Sequence, residues 1–495
     1  MGIKNRLRKW LDVPAPRKKR KRSFAGAKHS NVLSGWVFAY TQINDILKAD
    51  LPTLRTRSRD LCRNNFLVKA FLNQAEVNVI GPRNIRLQSK VTARVSTDLD
   101  EVVNRVVEEN WHEFTRTCDL TKRGGMQEFD TLALKSLVRD GEVFIRRQRG
   151  WTGNRFRYGI KVVDACLVDD QLTKQLTNGN SVVNGVEVDA MDVPVAYWLK
   201  TKSLGGVVDT MSTDHSRIPA EDMIHVFIQD EPGQTRGAPW TAPAMISLKH
   251  LDGFMEAAIV NARSKALCMG FLSDQPGEET DDLEGDTTGG DGETIFNMEA
   301  GTIREIGAKQ FQKFEAAFPS DIDGFVKSIE KAITSSLPGS YASVSGDIEN
   351  ASWSALRNDE MRAKSSWSVV QQYYIRNVRT PIWEDWLQQA LLTGQIRLGE
   401  QRTFLLSDYD RLNKPMWFPP VYPSADELKR QNANKLRIEM GTASRAEVIA
   451  EEGKDMFDVD ASRRASQESE EGIDPVETEA PAPQVMPEPE DEEAA

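Results

Sequence analysis

From Glu231 to Leu272 the chain reads EPGQTRGAPWTAPAMISLKHLDGFMEAAIVNARSKALCMGFL, and this stretch constrains the fold more than any other. A loop rich in Pro and Gly (Pro232, Gly233, Gly237, Pro239, Pro243) feeds a long segment without further Pro. Met245, Leu248, Met255, Ile259 and Ala262 recur at spacings of three and four, with Leu251 filling the one longer step. That spacing puts them on one stripe of a helix. At 1.5 Å per residue, Ala242 to Cys268 would span roughly 40 Å. The next segment, Ser273 to Glu293, is densely acidic and Gly-rich and holds no Lys or Arg. A long helix delivering such a tip suits a projecting stem better than a catalytic pocket.

The rest of the composition is that of a chain with a substantial core and charged ends. Its 495 residues are 39% hydrophobic and 28% charged, enough to bury two or more packed units. No apolar run approaches the ~18 residues of a membrane span, and no apolar segment follows the basic N-terminus as a secretory signal would require. Cys62, Cys118, Cys166 and Cys268 are scattered without a C-x-x-C and read as free thiols of a reducing compartment. The net charge of −11 conceals a polarity. Lys4, Arg6, Arg8, Lys9, the run Arg17, Lys18, Lys19, Arg20, Lys21, Arg22, and Lys28 face one acid, Asp12, whereas only acids follow Arg464. Such blocks are usually solvated. A free acidic protein is a poor duplex binder, because duplex affinity comes mainly from neutralising phosphates.

Along the chain, residues 1–30 read as a disordered basic arm. Helical spacing runs from Thr41 to Ile80, with a turn at Leu51-Pro52-Thr53 and a stop at Gly81-Pro82. Asp98 to Phe114 and Met126 to Val138 read as two more helices. Strands follow at Glu142–Gln148, Phe156–Val168, Val182–Val188, Val193–Lys200 and Met223–Ile228, rich in Val, Ile and aromatics and joined by short links. Such a series suggests an antiparallel meander. After the long helix and the acidic tip, helices are expected at Ile322–Ser335, at Trp353–Val378 with a stop at Pro381, at Ile382–Leu392, at Ala425–Glu439 and at Ser444–Glu452. Leu337–Asn350 is a Gly/Ser-rich loop, and residues 461–495 read as a disordered acidic tail. The fold class is α+β.

No motif in the sequence carries a recognisable chemistry. No G-x-x-x-x-G-K-[ST] is present to cradle a nucleotide. The five histidines lack paired ligand spacing, and His225, between Ile224 and Val226, reads as a core or interface histidine. Ser328 and Lys331 fit S-x-x-K, but the companion S-D-N and K-T-G are absent. Asp281, Asp282, Glu284, Asp286 and Asp291 cluster without the frame of a calcium loop. Their readings are a solvated surface, a protein-docking face or a divalent-ion site. The hexamer Arg17–Arg22 reads as a solvated arm, a nonspecific contact with phosphate or an acidic partner, or a nuclear-localisation match. No catalytic residue, metal site or cofactor is expected.

Several stretches occur in one order over roughly residues 30–455: SRDLCRNN (Ser58–Asn65) followed by Gly81-Pro82, DGEVFIR (Asp140–Arg146), RIPAEDMIHVF (Arg217–Phe227), PGQTRGAPW (Pro232–Trp240), APAM with LDGFMEAAIVNAR (Ala242–Arg263), Gly270-Phe271, and YPSADELKRQNA (Tyr422–Ala433). In this ordered set the chain resembles the lambda-type family of tailed-phage portal proteins. The resemblance implies a twelve-subunit ring forming the DNA entry and exit channel at one capsid vertex. It implies a wing whose N-terminal part is 31–240 and whose return helices are 353–412. Stem helices would fall at 241–269 and 319–336, a clip at 270–318 and a crown at 413–460.

The loop at 337–352 is, on composition, a linker. By resemblance it is a tunnel loop presenting Ser340, Tyr341, Ser343, Ser345 and Asp347 to the channel, with no cation to grip phosphate. The acidic cluster would dock partners at the clip. Implied partners are further copies of the chain, the terminase large subunit, a head-completion or adaptor protein, capsid or scaffold protein, and duplex DNA passing without sequence specificity. No membrane partner is implied. The acidic insertion 274–293 and the Glu/Pro tail match no part of the family. A DNA-binding or DNA-processing protein with a basic arm is the alternative, and an interaction scaffold without a channel is a third class.

Overall fold

The computed structural model describes residues 41–94, 99–201, 214–267, 322–349, 352–399, 402–420, 427–452, 454 and 456–471, with four short strands between 271 and 312. The basic hexamer Arg17–Arg22 lies outside the described residues, as do Asp281, Asp282, Glu284, Asp286 and Asp291.

Helix α1 (Ile43–Asn64) runs through Pro52, where a turn is expected from sequence. Proline removes the N–H that would bond the Lys48 carbonyl. The Gln171 side-chain amide donates to that carbonyl instead, at 2.8 Å. The buried stripe of α1 is Leu47, Leu51, Arg55, Ser58, Leu61 and Cys62, so an arginine stands in an otherwise mostly apolar row. Asn65 breaks the helix and caps α2 (Phe66–Ala75), accepting from the Val68 N–H at 3.1 Å. A π turn, Glu76–Ile80, then ends at Gly81.

Strand β1 (Arg86–Ser89) precedes α3 (Glu101–Thr117) and α4 (Met126–Asp140). Next come β2 (Glu142–Arg149), β3 (Tyr158–Val163), β4 (Lys174–Gln175), β5 (Ser181–Val183), β6 (Val186–Val188), β7 (Pro194–Lys200), β8 (His215–Pro219) and β9 (Met223–Phe227). The expected meander holds for β4 to β8, which form a five-stranded antiparallel sheet in sequence order. It fails for β9, which pairs with β2 in a three-stranded sheet of order β3-β2-β9. Two expected strands are shorter or split. Asp164 ends β3 by accepting from the Cys166 N–H. Asn184 and Gly185, at φ 51° and 81°, turn the chain between β5 and β6, the positive dihedrals of a tight hairpin.

Side-chain alternation along β2 divides the interior in two. Val143 and Ile145 enter the main core with α2, α3 and α4, while Phe144 enters a second cluster with Leu167, Val186, Tyr197 and Met223.

The long helix α5 (Met245–Leu267) follows a short turn at Ala242–Ala244. Beyond it β10 (Phe271–Asp274) pairs with β13 (Lys309–Gln312), and β11 (Thr287–Thr288) with β12 (Thr294–Ile295). Helix α6 (Ile322–Thr334) packs on α5, with the Phe254 and Phe325 rings 5.3 Å apart. A short helix α7 (Tyr341–Ser345) leads to α8 (Trp353–Tyr374). The expected stop at Pro381 does not occur. A π turn, Ile375–Arg379, joins α8 to α9 (Thr380–Leu392) and places Pro381 in the first turn of α9, where a missing N–H costs little. The last elements are β14 (Arg397–Leu398), β15 (Arg402–Thr403), α10 (Tyr409–Leu412), β16 (Pro415–Phe418), α11 (Glu427–Glu439), α12 (Arg445–Glu451) and α13 (Met456–Glu471). Helix α13 crosses position 461, so the segment expected to be disordered begins with helical residues.

Candidate functional site

Three of these sequence stretches, Asp140–Arg146, Arg217–Phe227 and Pro232–Trp240, meet with Arg55 of α1 at one buried ion cluster beneath the start of α5. Glu142 is its centre and is fully buried. Its carboxylate accepts from Arg236 Nη2 at 2.7 Å and Nε at 3.0 Å, from His225 Nε2 at 3.0 Å, from the Gly237 N–H at 3.1 Å, and from Arg55. Arg236, also fully buried, donates further to the carbonyls of Asn184 at 2.7 Å and Ala165 at 3.2 Å. Arg55 reaches Asp170 at 3.4 Å.

A second layer flanks the first. Arg59 binds Asp140 at 2.7 Å and Asp164 at 2.6 Å, and Arg139 binds Asp140 at 2.8 Å. Helix α1, β2, β9 and the loop 230–241 are thus held together by charge-assisted bonds, which are stronger than neutral ones.

The electrostatics follow from the geometry. Burial acts to raise the Glu142 pKa, but Arg236 and Arg55, with the His225 hydrogen bond, hold it well below the usual carboxylate range. Burial pushes His225 below its ordinary value despite Glu142. His225 stacks on Phe144 with centroids 4.1 Å apart, which makes it the core histidine expected from sequence. Glu142 and Arg236 carry the cluster yet were not singled out from the sequence. The available signal was a glutamate opening an apolar strand and an arginine inside a Pro/Gly loop.

Backbone contact completes the latch. A Cβ on Gly141, whose φ is +82°, would lie 2.0 Å from the Ala238 carbonyl carbon, and one on Gly237 would lie 2.2 Å from the Gly141 carbonyl oxygen. Only glycine permits this approach. Ser58 and Thr241, both buried, share a hydrogen bond of 3.0 Å, and Asn65 donates to Asp252 of α5 at 2.7 Å.

From this root α5 leaves the core. Met245, Leu248 and Leu251 are buried, but Ile259 is 54% exposed, Val260 is 53% exposed, and Ala262 is exposed. The apolar stripe therefore continues where its own chain covers it least. Phe325 on α6 is half-exposed beside it.

The loop residues Ser340, Tyr341, Ser343, Ser345 and Asp347 do come together, in one capped turn. Ser340 Oγ accepts from the Ser343 N–H at 3.1 Å, Ser345 Oγ donates to the Tyr341 carbonyl at 2.9 Å, and the Tyr341 hydroxyl donates to Asp347 at 3.0 Å. Burial first, then Asp347, pushes the Tyr341 hydroxyl up to about 12. The turn is pinned rather than free. Leu337 and Val344 enter the main core, and the Gly339 N–H donates to Ser366 at 3.1 Å.

Cations flank the turn from α6. Lys327 lies 3.0 Å from Asp323, 3.5 Å from Asp347 and 3.2 Å from Glu349, and Lys331 sits 5.2 Å from the Tyr341 ring centroid. Ser328 donates to the Gly324 carbonyl. Among the described residues no group of His, Cys, Asp or Glu is placed to hold a metal, and no helix is long and apolar enough to cross a membrane. Cys62, Cys118 and Cys166 are unpaired.

A family model described as "Phage portal protein, lambda family" matches residues 29–371. The probable portal protein of Halomonas phage phiHAP-1 is 29% identical over 484 residues, covering 93% of this chain and 91% of that protein. Portal protein B of Escherichia phage lambda is 22% identical over 477 residues, covering 88% and 87%. Among solved structures, a chain in the neck of an empty GTA particle computed with C6 symmetry aligns at a TM-score of 0.43 and 13% identity, over 82% of this chain and 94% of that one.

Proposed function

Because the chain belongs to the lambda family of phage portal proteins and so to the capsid vertex of a virion, we propose that about a dozen copies close head to tail into a ring around the genome's path. In this ring α5 and α6 are the stem and line the axial channel. The observation that supports it is the contrast along α5. On its apolar stripe, Met245, Leu248 and Leu251 at the root are buried, while Ile259 and Ala262 farther along are exposed. A stripe of that kind is covered when neighbouring copies stand beside it. Negative-stain imaging of the purified chain tests this: closed rings support the reading, and isolated monomers or open chains oppose it.

Within the ring, the loop at 337–352 faces the passing duplex, which moves without sequence readout. Lys327 is already engaged by three carboxylates, which suits a wall that must not retain phosphate. The clip, 270–318, with Asp281, Asp282, Glu284, Asp286 and Asp291, docks the terminase large subunit during packaging and a head-completion protein afterwards. The basic arm, with Arg17–Arg22, contacts scaffold, shell or nucleic acid during assembly. The chain itself performs no hydrolysis, and the ATP-driven motor is another chain. A hydrolysis rate that survives repurification and is abolished by a point change in this chain contradicts that assignment.

A further inference from the structure

A groove of about 650 Å³ opens between β1, α3 and the first turn of α4. Arg83, Arg86, Arg116 and Lys454 stand on its walls, with Trp111 and Phe418 among its lining. Arg83 and Arg116 are exposed and Arg86 is half-buried. Among the described residues none of these three arginines has an ion pair or a side-chain hydrogen bond, unlike Arg55, Arg59, Arg139, Arg147 and Arg149. The groove's two carboxylates are committed to backbone. Glu108 accepts from the Ser89 N–H at 2.6 Å, and Glu128 from the Gly125 N–H at 2.8 Å. In a protein of net charge −11 this cationic cleft is out of character, and it serves no part of the channel described above.

We propose that this groove binds the acidic C-terminal segment 472–495, of the same copy or a neighbour, and that the bound segment screens the arginines from nucleic acid. Three observations favour that occupant. Charge is the first: the segment carries Asp474, Glu477, Glu479, Glu488, Glu490, Asp491, Glu492 and Glu493 and no Lys or Arg.

Reach is the second. Lys454 is on the groove wall, and α13 then runs over 16 residues, about 24 Å at helical rise. The 24 residues beyond Glu471 span up to about 80 Å when extended, so they can return to the groove. Shape is the third. A volume of about 650 Å³ holds a few residues of extended chain, and Val485, Met486, Pro487 and Pro489 supply apolar groups between the acids to meet Trp111 and Phe418 in the lining. Tethering raises the local concentration to the order of millimolar, so weak contacts suffice. An unscreened cluster of arginines would instead hold phosphate.

The test uses the full chain and a fluorescent peptide of residues 472–495 as probe, followed by anisotropy. One variant neutralises the chain's own tail (Glu488→Gln, Glu490→Gln, Asp491→Asn, Glu492→Gln, Glu493→Gln). It is expected to bind the peptide about tenfold or more tighter than the unmodified chain, whose own tail competes. Adding Arg83→Gln, Arg86→Gln and Arg116→Gln to that variant should remove the gain, and rising salt should weaken binding. Among the described residues these arginines have no side-chain partners to lose, so the fold should tolerate the changes, and an unchanged circular dichroism spectrum checks it. Equal peptide binding by the unmodified and tail-neutral chains overturns the proposal. So does binding that ignores the arginines, or arginine-dependent retention of a random duplex without retention of the peptide.

Discussion

Arg236 and Glu142, 94 residues apart in sequence, form a fully buried pair in which the guanidinium makes three hydrogen bonds to one carboxylate. One partner opens a strand of the three-stranded sheet, and the other sits in the loop that launches α5. The pair therefore sets where the long helix begins relative to the body of the subunit.

Removing one member should be severe. Glu142→Gln leaves Arg236 and Arg55 buried beside a neutral amide, and breaking a buried pair costs about 3–5 kcal/mol. Arg155→Ala, which breaks a half-exposed pair with Glu113, should cost under about 1 kcal/mol. Urea midpoints of the two variants check the ordering. Comparable losses would mean that the cluster is incidental.

Acid should loosen the same cluster. Burial lowers the His225 pKa in the folded chain, so the unfolded chain takes up the proton first as pH falls through about 6.5. Stability is fully present above that value and declines below it. Glu142, held low by Arg236 and Arg55, adds a loss with the same sign once pH drops below about 4.3. The urea midpoint should fall between pH 8 and pH 5.5, and His225→Gln should flatten the slope between about pH 6.5 and 5.5. An identical slope in that variant would clear His225 of the effect.

Much of the helix and strand order was legible because apolar periodicity and Gly/Pro punctuation are local signals. What was missed depends on partners distant in sequence. Pro52 looked like a turn because nothing local says that Gln171 will satisfy the Lys48 carbonyl. Pro381 looked like a stop because the π turn before it is a tertiary adjustment. The strand β9 skipped its sequence neighbours to pair with β2. In the candidate site, the loop residues Ser340 to Asp347 were found as a set, but the pinning of that turn by Ser366 and the core was not. Glu142 and Arg236 carry no local mark in the sequence, since a charge reads as surface until its partner is known.

The turn should also report on DNA passage. Asp347→Asn with Glu349→Gln takes two of the three carboxylates from Lys327. The freed ammonium should bind phosphate, raising retention of random duplex on assembled particles and steepening its salt dependence. Retention equal to that of the unmodified chain at every salt concentration would remove this loop from the DNA path.

Replacing Asp281, Asp282, Glu284 and Asp286 with Ser should slow association of the packaging motor and flatten its salt dependence, because exposed charge acts mainly on the on-rate. Stopped-flow mixing at several ionic strengths measures it. Unchanged rates would leave the acidic tip as a solubilising loop.

Native mass spectrometry of the purified chain over a range of salt concentrations tests the central claim most directly. The account predicts a closed assembly of about a dozen copies, which Ile259→Asp with Val260→Asp shifts toward monomer while the fold of each subunit survives. A changed copy number leaves the claim intact. Only monomer or dimer for the unmodified chain, at every salt concentration, would contradict it.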